Sequence, residues 1–207
     1  MESMFFHAIH FNQPLDSWDV GKVTNMEFMF QRTYSFNQPL ASWNVGNVTN
    51  MGYMFEGGMD ANFYTIFNQP LESWDVGKVT SMRRMFSGAK PFNQPLDSWN
   101  VGNVTDMNEM FENTFRFNQC LGTWAGKTPY IVSTSGMFNG TSCPDEDTDP
   151  NVGPWCQSDD ICIVDTDPSE DDFYYSVDDS FEDGAFSVAP VPFVTALAML
   201  SSARLFS

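Results

Sequence analysis

Apolar and polar positions recur with a fixed period through the first part of the chain. Phe-Asn-Gln-Pro-Leu begins at Phe11, Phe36, Phe67 and Phe92, and Phe-Asn-Gln-Cys-Leu at Phe117, so the intervals are 25, 31, 25 and 25 residues. In the first unit, Leu15, Trp18, Val20, Val23 and Met26 alternate with polar residues. Met26, Met29 and Phe30 then follow at i, i+3 and i+4. Ser17-Trp18-Asp19-Val20 has the alternation of a short half-buried strand. The Met26–Phe30 spacing predicts one apolar face of a short helix, with Thr24, Thr49, Thr80 and Thr105 placed to cap it. One such unit cannot bury its apolar face alone, but five stacked units can.

A residue that recurs once per unit stacks on its own equivalents, which accounts for the aromatic content without invoking a ligand. Ten of 13 Met, five of six Trp and eleven of 20 Phe fall in fixed repeat rows. The Asn12-Gln13 pair recurs at Asn37, Asn68, Asn93 and Asn118, where an Asn ladder would satisfy backbone groups at each turn. Met4-Phe5 precedes Phe11 as Met29-Phe30 precedes Phe36, so the chain is expected to open at the end of an earlier, incomplete unit.

The unit FNQPLDSWDVGKVTNMEFMF resembles the BspA-type leucine-rich-repeat surface proteins, a repeat family also found in mycoplasma lipoproteins, and the likeness covers residues 4 to about 138. The resemblance implies an α/β repeat solenoid, a leucine-rich-repeat-like right-handed coil of short parallel strands and helices. It also implies a secreted or surface-anchored protein used in adhesion or recognition, and it carries no catalytic residues with it. The expected organisation is a repeat solenoid over 1–140 and a Cys-containing cap over 141–164. An acidic linker over 165–187 and an apolar tail over 188–207 follow.

Two departures from the repeat are candidates for specificity. The connector between Phe55 and Phe67 has eleven residues where other units have five, and the extra residues around Gly57–Asn62 must bulge from one edge. They read either as a tolerated loop or as a recognition element. The second candidate is the polar row Ser17, Asp19, Ser42, Asn44, Ser73, Asp75, Ser98 and Asn100, expected on the outward face. It reads either as a solvated face or as a repetitive surface for a glycan, a mineral or ice lattice, or a partner protein.

Cys120, Cys143, Cys156 and Cys162 all follow the regular repeats, where the last unit degrades and needs a cap. Three disulfide pairings stand open, and an oxidising compartment suits them. Zinc is the rival, but there is no C-x-x-C pair and no nearby histidine. Asn47, Asn103 and Asn139 each begin an Asn-x-Thr sequon. The first two share a row with Lys22 and Lys78, which argues for exposure, and Asn139 lies near the cap.

The net charge of −18, from 27 acidic and nine basic residues, excludes a phosphate-binding surface and so a nucleic-acid partner. Most of it lies beyond Lys127, where fifteen acids face the single Arg204. Asp165–Asp183 reads as an extended, self-repelling spacer. Asp145, Asp147 and Asp149 fail as an EF-hand loop, because Pro150 takes the glycine position and Cys156 the glutamate position. Val188–Leu200 is short for a spanning helix; glycolipid-anchor signal, marginal membrane segment and soluble tail all remain open. His7 and His10 have no partner carboxylate or thiol placed by sequence. The expectation is therefore a non-catalytic extracellular or cell-surface recognition protein, without cofactor or bound metal. Its partner would be a protein or glycan, with a candidate membrane tether in the tail. A structural wall or matrix component, binding polysaccharide, mineral, ice or Ca²⁺ through the Ser/Asx row, is the alternative.

Overall fold

A computed structural model of the chain describes residues 1–58, 63–144 and 155–156. The chain divides into Met1–Asp165 and Thr166–Ser207. The acidic linker, the apolar tail, Cys162 and the Asp145–Asp149 triplet lie outside the described residues.

Successive repeats lie side by side and in register. Isolated parallel bridges join Asn25 to Asn50, Asn50 to Ser81, Ser81 to Asp106 and Asp106 to Ser133. Two columns of phenylalanine run through the stack. Phe5, Phe30, Phe55, Phe86, Phe111 and Phe138 stack at 5.4 to 5.7 Å between neighbours. Phe11, Phe36, Phe67, Phe92 and Phe117 stack at 5.9 to 6.3 Å. The columns touch within each repeat, as at Phe55–Phe67, 4.0 Å. Leu40, Val45, Val48, Met51 and Met54 are all buried, as are their equivalents Leu71, Val76, Val79, Met82 and Met85 and Leu96, Val101, Val104, Met107 and Met110. Burial of these rows is the main favourable term holding neighbouring repeats together.

The Met26–Phe30 face is buried as its spacing predicts, but the element is not a helix. Met29 N–H donates to the Met26 carbonyl, Gln31 to Phe28 and Thr33 to Phe30, a ribbon of overlapping i to i+3 turns. The intervening donors leave the repeat: Met26, Phe28, Phe30 and Arg32 donate to the carbonyls of Asn50, Gly52, Met54 and Glu56 in the next one. An α-helix would keep these N–H groups for itself. Positive φ at Phe28 and Arg32, 57° and 56°, interrupts the right-handed path and turns alternate donors outward. The same row holds Tyr53, Arg84 and Glu109 at positive φ, and Gly136 where the strain is absent. Side-chain spacing at i, i+3 and i+4 does not distinguish this ribbon from a helix.

The expected strand over Ser17–Val20 is likewise not formed. Trp18 N–H turns back to the Leu15 carbonyl and Val23 N–H to Val20, leaving no extended run between them. The in-out alternation survives, since Trp43 and Val45 are buried while Ser42 and Asn44 are exposed. Capping also moves by one residue. Asn25 Oδ1 accepts from Glu27 N–H at 2.9 Å and Asn50 Oδ1 from Gly52 N–H at 2.9 Å. The threonines instead reach the preceding repeat, as Thr49 Oγ1 does to the Thr24 carbonyl at 3.1 Å.

Among the described residues the one helix, α1, is Gly122–Ala125, in the fifth unit where the Asx-Val-Gly step is lost. Beyond it, Trp155 is buried and packs edge-on against Trp124 with ring centroids 6.0 Å apart. Its carbonyl accepts from Leu121 N–H at 3.3 Å. Cys143 and Cys156 form a disulfide, and Cys120 is also disulfide-bonded. Of the three pairings open to the sequence, the one observed thus joins Cys143 to Cys156.

Candidate recognition surface

The Ser/Asx row is exposed at all eight positions, Ser17, Asp19, Ser42, Asn44, Ser73, Asp75, Ser98 and Asn100. Its polar atoms are largely committed to the stack. Ser42 Oγ donates to the Asp16 carbonyl at 2.9 Å, Ser73 Oγ to Ala41 at 2.9 Å and Ser98 Oγ to Glu72 at 3.2 Å. Each Asx side chain accepts the glycine N–H two residues on, from Asp19 with Gly21 at 3.0 Å to Asn100 with Gly102 at 3.2 Å. Such Asx turns replace the backbone ladder of a strand. These groups are fasteners between and within repeats, which leaves less of them for a ligand.

The sequon row behaves alike. Asn47 Nδ2 donates to the Gly21 carbonyl at 2.8 Å and Asn103 Nδ2 to Gly77 at 2.6 Å. Lys78 Nζ, in the same row, donates to Asn47 Oδ1 at 2.7 Å. Asn139 is exposed, and its carbonyl accepts from Asn113 N–H at 2.7 Å. The Asn ladder is formed: Asn37, Asn68, Asn93 and Asn118 each donate N–H to the Asn Oδ1 of the preceding repeat at 2.9 to 3.0 Å.

A different surface lies along the connectors. Ser35 N–H donates to the Ile9 carbonyl, Ile66 to Tyr34 and Arg116 to Lys90, which sets the connectors of neighbouring repeats side by side. On this edge Phe63 is 52 % exposed and Phe115 50 %, and Ile9, Tyr64 and Ile66 are exposed as well. Tyr34 and Phe63 rings sit 5.8 Å apart. Lys90 Nζ lies 4.6 Å from the Tyr64 ring centroid and 5.3 Å from that of Phe115, joining aromatics of two repeats through cation–π contacts. Exposed aromatic residues gathered on one surface are a feature enriched in binding patches.

The longer connector contributes Phe63, Tyr64 and Ile66 to this edge, its Met59–Asn62 stretch lying outside the described residues, and the core rows on either side stay in register. Phe36–Phe67 and Phe55–Phe86 stack across it at 6.0 and 5.7 Å, like the other junctions. Its base is closed by backbone: a Cβ at Gly58 would meet the Phe63 carbonyl oxygen at 2.3 Å, and one at Gly57 the Gly88 oxygen at 2.6 Å. Glycine is required at both. The sequence marked the insertion but not the edge. The signal for it was aromatic residues outside the repeat rows: Tyr34, Phe63, Tyr64 and Phe115 all stand in connectors.

Charge is concentrated elsewhere, along the turn ribbon. Arg84 pairs with Glu56 at 3.2 Å, with Glu112 at 3.0 Å and with Glu109. Arg83 hydrogen-bonds Tyr53 Oη at 2.9 Å. Burial pushes the Glu56 carboxyl above its ordinary value, against the opposing pull of Gln31, Arg84 and Arg32. His7 Nε2 lies 3.0 Å from Arg32 Nη1 and its ring stacks on Phe6. Among the described residues no His/Cys/Asp/Glu group could hold a metal ion, and no helix is long and apolar enough to cross a membrane.

Stacked short repeats with a polar, fastened face and an apolar connector edge define a repeat protein. The chain belongs to the family described as Mycoplasma protein of unknown function, DUF285, whose model matches residues 1–65 and 58–150. No curated protein and no solved structure matches it.

Proposed function

We propose that this chain is a non-catalytic recognition protein of the cell surface or extracellular space. In this reading it is a solenoid of the BspA-type leucine-rich-repeat kind that meets a protein or glycan ligand along its connector edge. One observation carries the proposal: Phe63, Tyr64, Ile66 and Phe115 stand exposed on the connectors, with Lys90 set between the Tyr64 and Phe115 rings. The Phe, Met and Trp rows of the inner repeats are buried, whereas these connector residues are not. The extracellular address draws on the disulfides, which persist in oxidising compartments. The matrix reading needs free Ser and Asx groups, and their bonding within the stack disfavours it.

The test is capture of the purified protein on an array of immobilised polysaccharides and secreted glycoproteins. The wild-type chain should be retained on a defined subset, and a Tyr64→Ser/Phe115→Ser variant of unchanged melting temperature should lose that retention. Retention that survives the double substitution would remove the edge from the proposal.

A further inference from the structure

The Asn-x-Thr sequons at Asn47, Asn103 and Asn139 stand in unequal surroundings. Asn47 and Asn103 are exposed, but each amide is fastened to the preceding repeat. Asn47 Nδ2 donates to the Gly21 carbonyl at 2.8 Å while its Oδ1 accepts from Lys78 Nζ at 2.7 Å, and Asn103 Nδ2 donates to Gly77 at 2.6 Å. The rest of each sequon is built into the stack. Val48 and Val104 are buried, and Thr49 Oγ1 and Thr105 Oγ1 donate to the carbonyls of Thr24 and Thr80 at 3.1 and 3.2 Å.

Asn139 stands outside this bonding. It is exposed in a four-residue turn over residues 138–141, which the Thr141 N–H closes on the Phe138 carbonyl at 3.1 Å. Gly140 has φ +68°, which glycine adopts without strain, so Asn139 is held as one of the two central residues of the turn. Among the described residues the Asn139 amide makes no hydrogen bond. Against its Nδ2 lies Gly136, where an added Cβ would come within 3.1 Å, so glycine leaves room around the nitrogen.

We infer that Asn139 is a site of N-linked glycosylation and that Asn47 and Asn103 stay unmodified in the folded chain. The inference rests on the extracellular or cell-surface address proposed above. The sugar donor is a lipid diphosphate-linked oligosaccharide, and a transferase carries out the exchange. A bond forms between Asn139 Nδ2 and the anomeric carbon, the bond from that carbon to the diphosphate oxygen breaks, and the lipid diphosphate leaves with the electron pair. One amide proton passes to a base of the transferase. At Asn139 this costs no hydrogen bond of the fold. At Asn47 or Asn103 a bulky saccharide would grow from a nitrogen held 2.8 or 2.6 Å from the preceding repeat's backbone, so the amide must turn out and give up that bond. Placement ties the site to the ligand surface. Asn113 N–H donates to the Asn139 carbonyl at 2.7 Å and Ser142 Oγ to the Phe115 carbonyl at 2.6 Å, which sets the attachment point at the Phe115 end of the connector edge.

The test is expression of the full chain behind a cleavable secretory leader in a glycosylating eukaryotic host, with peptide mapping of material from both cells and medium. Amidase deglycosylation turns each glycosylated Asn into Asp, so all three sequons are read in the wild-type chain without substitution. Conversion should occur at position 139, with Asn persisting at positions 47 and 103. An Asn139→Gln chain should have the mass of a chain without glycan, while an Asn47→Gln/Asn103→Gln chain should keep the glycan. Unmodified Asn139 overturns the inference, as does a glycan on Asn47 or Asn103 in chains that hold the Cys143–Cys156 disulfide. Because the leader imposes the compartment, these outcomes judge the site and not the address. Recovery of the natural chain, unglycosylated, from the cytoplasm of its own cells counts against the address alone.

Discussion

The indole N–H of Trp74 donates to the main-chain carbonyl of Leu40 at 2.9 Å across the junction that carries the insertion, 34 residues apart in sequence. Trp43 and Leu15 make the same bond at 2.9 Å with 28 residues between them. The junction across the longer connector is therefore closed by the same bond as one across a connector of ordinary length. Trp74→Phe keeps an aromatic ring but leaves the Leu40 carbonyl with the Trp43 N–H as its remaining donor, and should destabilise by about 0.5–1.5 kcal/mol. Trp74→Ala also opens a cavity and should cost about 3–5 kcal/mol. Urea denaturation reads both; a Trp74→Phe chain as stable as wild type would show that the bond is dispensable.

Backbone geometry makes a second prediction. Gly88 has φ +69°, and a Cβ there would meet the Gly58 carbonyl oxygen at 3.0 Å. Gly88→Val should therefore destabilise by about 1–3 kcal/mol through strain alone, before any effect on the neighbouring insertion. Gly126, with nothing within 4 Å of an added Cβ, is the control, and Gly126→Ala should be close to neutral. Thermal melts of the two variants should separate clearly. Equal melting temperatures would contradict the turn-ribbon geometry.

The Glu56 carboxyl gives a pH dependence with a definite sign. Its folded pKa is raised by burial from the ordinary 4.5, so the fold binds its proton more tightly than the unfolded chain does. The associated stabilisation is fully present below the unfolded value and is lost as pH rises through the folded one. Glu56→Gln removes this loss. The melting temperature of the variant relative to wild type should thus rise between pH 4 and pH 7. A relative fall over that interval would mean that the Arg84 pairing outweighs burial.

The pairing of Cys143 with Cys156 closes a short loop that holds Trp155 against the last repeat. A non-reducing digest should recover these two cysteines in one linked peptide pair. Cys143→Ser should lower stability by about 2–4 kcal/mol and admit a quencher to Trp155. Recovery of Cys143 linked to a different cysteine would contradict the arrangement of the cap.

The rows that pack were legible in the sequence because identical residues at a fixed interval have few ways to be buried other than against each other. Phe30, Met29 and Trp43 lie where their spacing put them. The elements carrying them were not legible. Met26, Met29 and Phe30 have helical spacing, yet whether an N–H bonds within its own repeat or to the next depends on φ at Phe28 and Arg32, which no side-chain pattern encodes. The bonding of the Ser/Asx row was hidden for a related reason. Ser42 and Asn44 are exposed as expected, but their bonding to Asp16 and Gly46 depends on how closely repeats approach. Phe63 and Phe115 follow no period, and that irregularity sets the edge apart from the packed rows.

In the proposed function the connector edge, and not the Ser/Asx face, meets the ligand. This is tested most directly by comparing two folded variants on the same array of immobilised polysaccharides and secreted glycoproteins. One carries Tyr64→Ser and Phe115→Ser. The other carries Ser42→Ala, Ser73→Ala, Asp19→Asn and Asp75→Asn, which strips hydroxyls and charge from the face while Asn keeps the turn bond to glycine. Loss of retention in the edge variant alone is the predicted result. Loss in the face variant alone would contradict it.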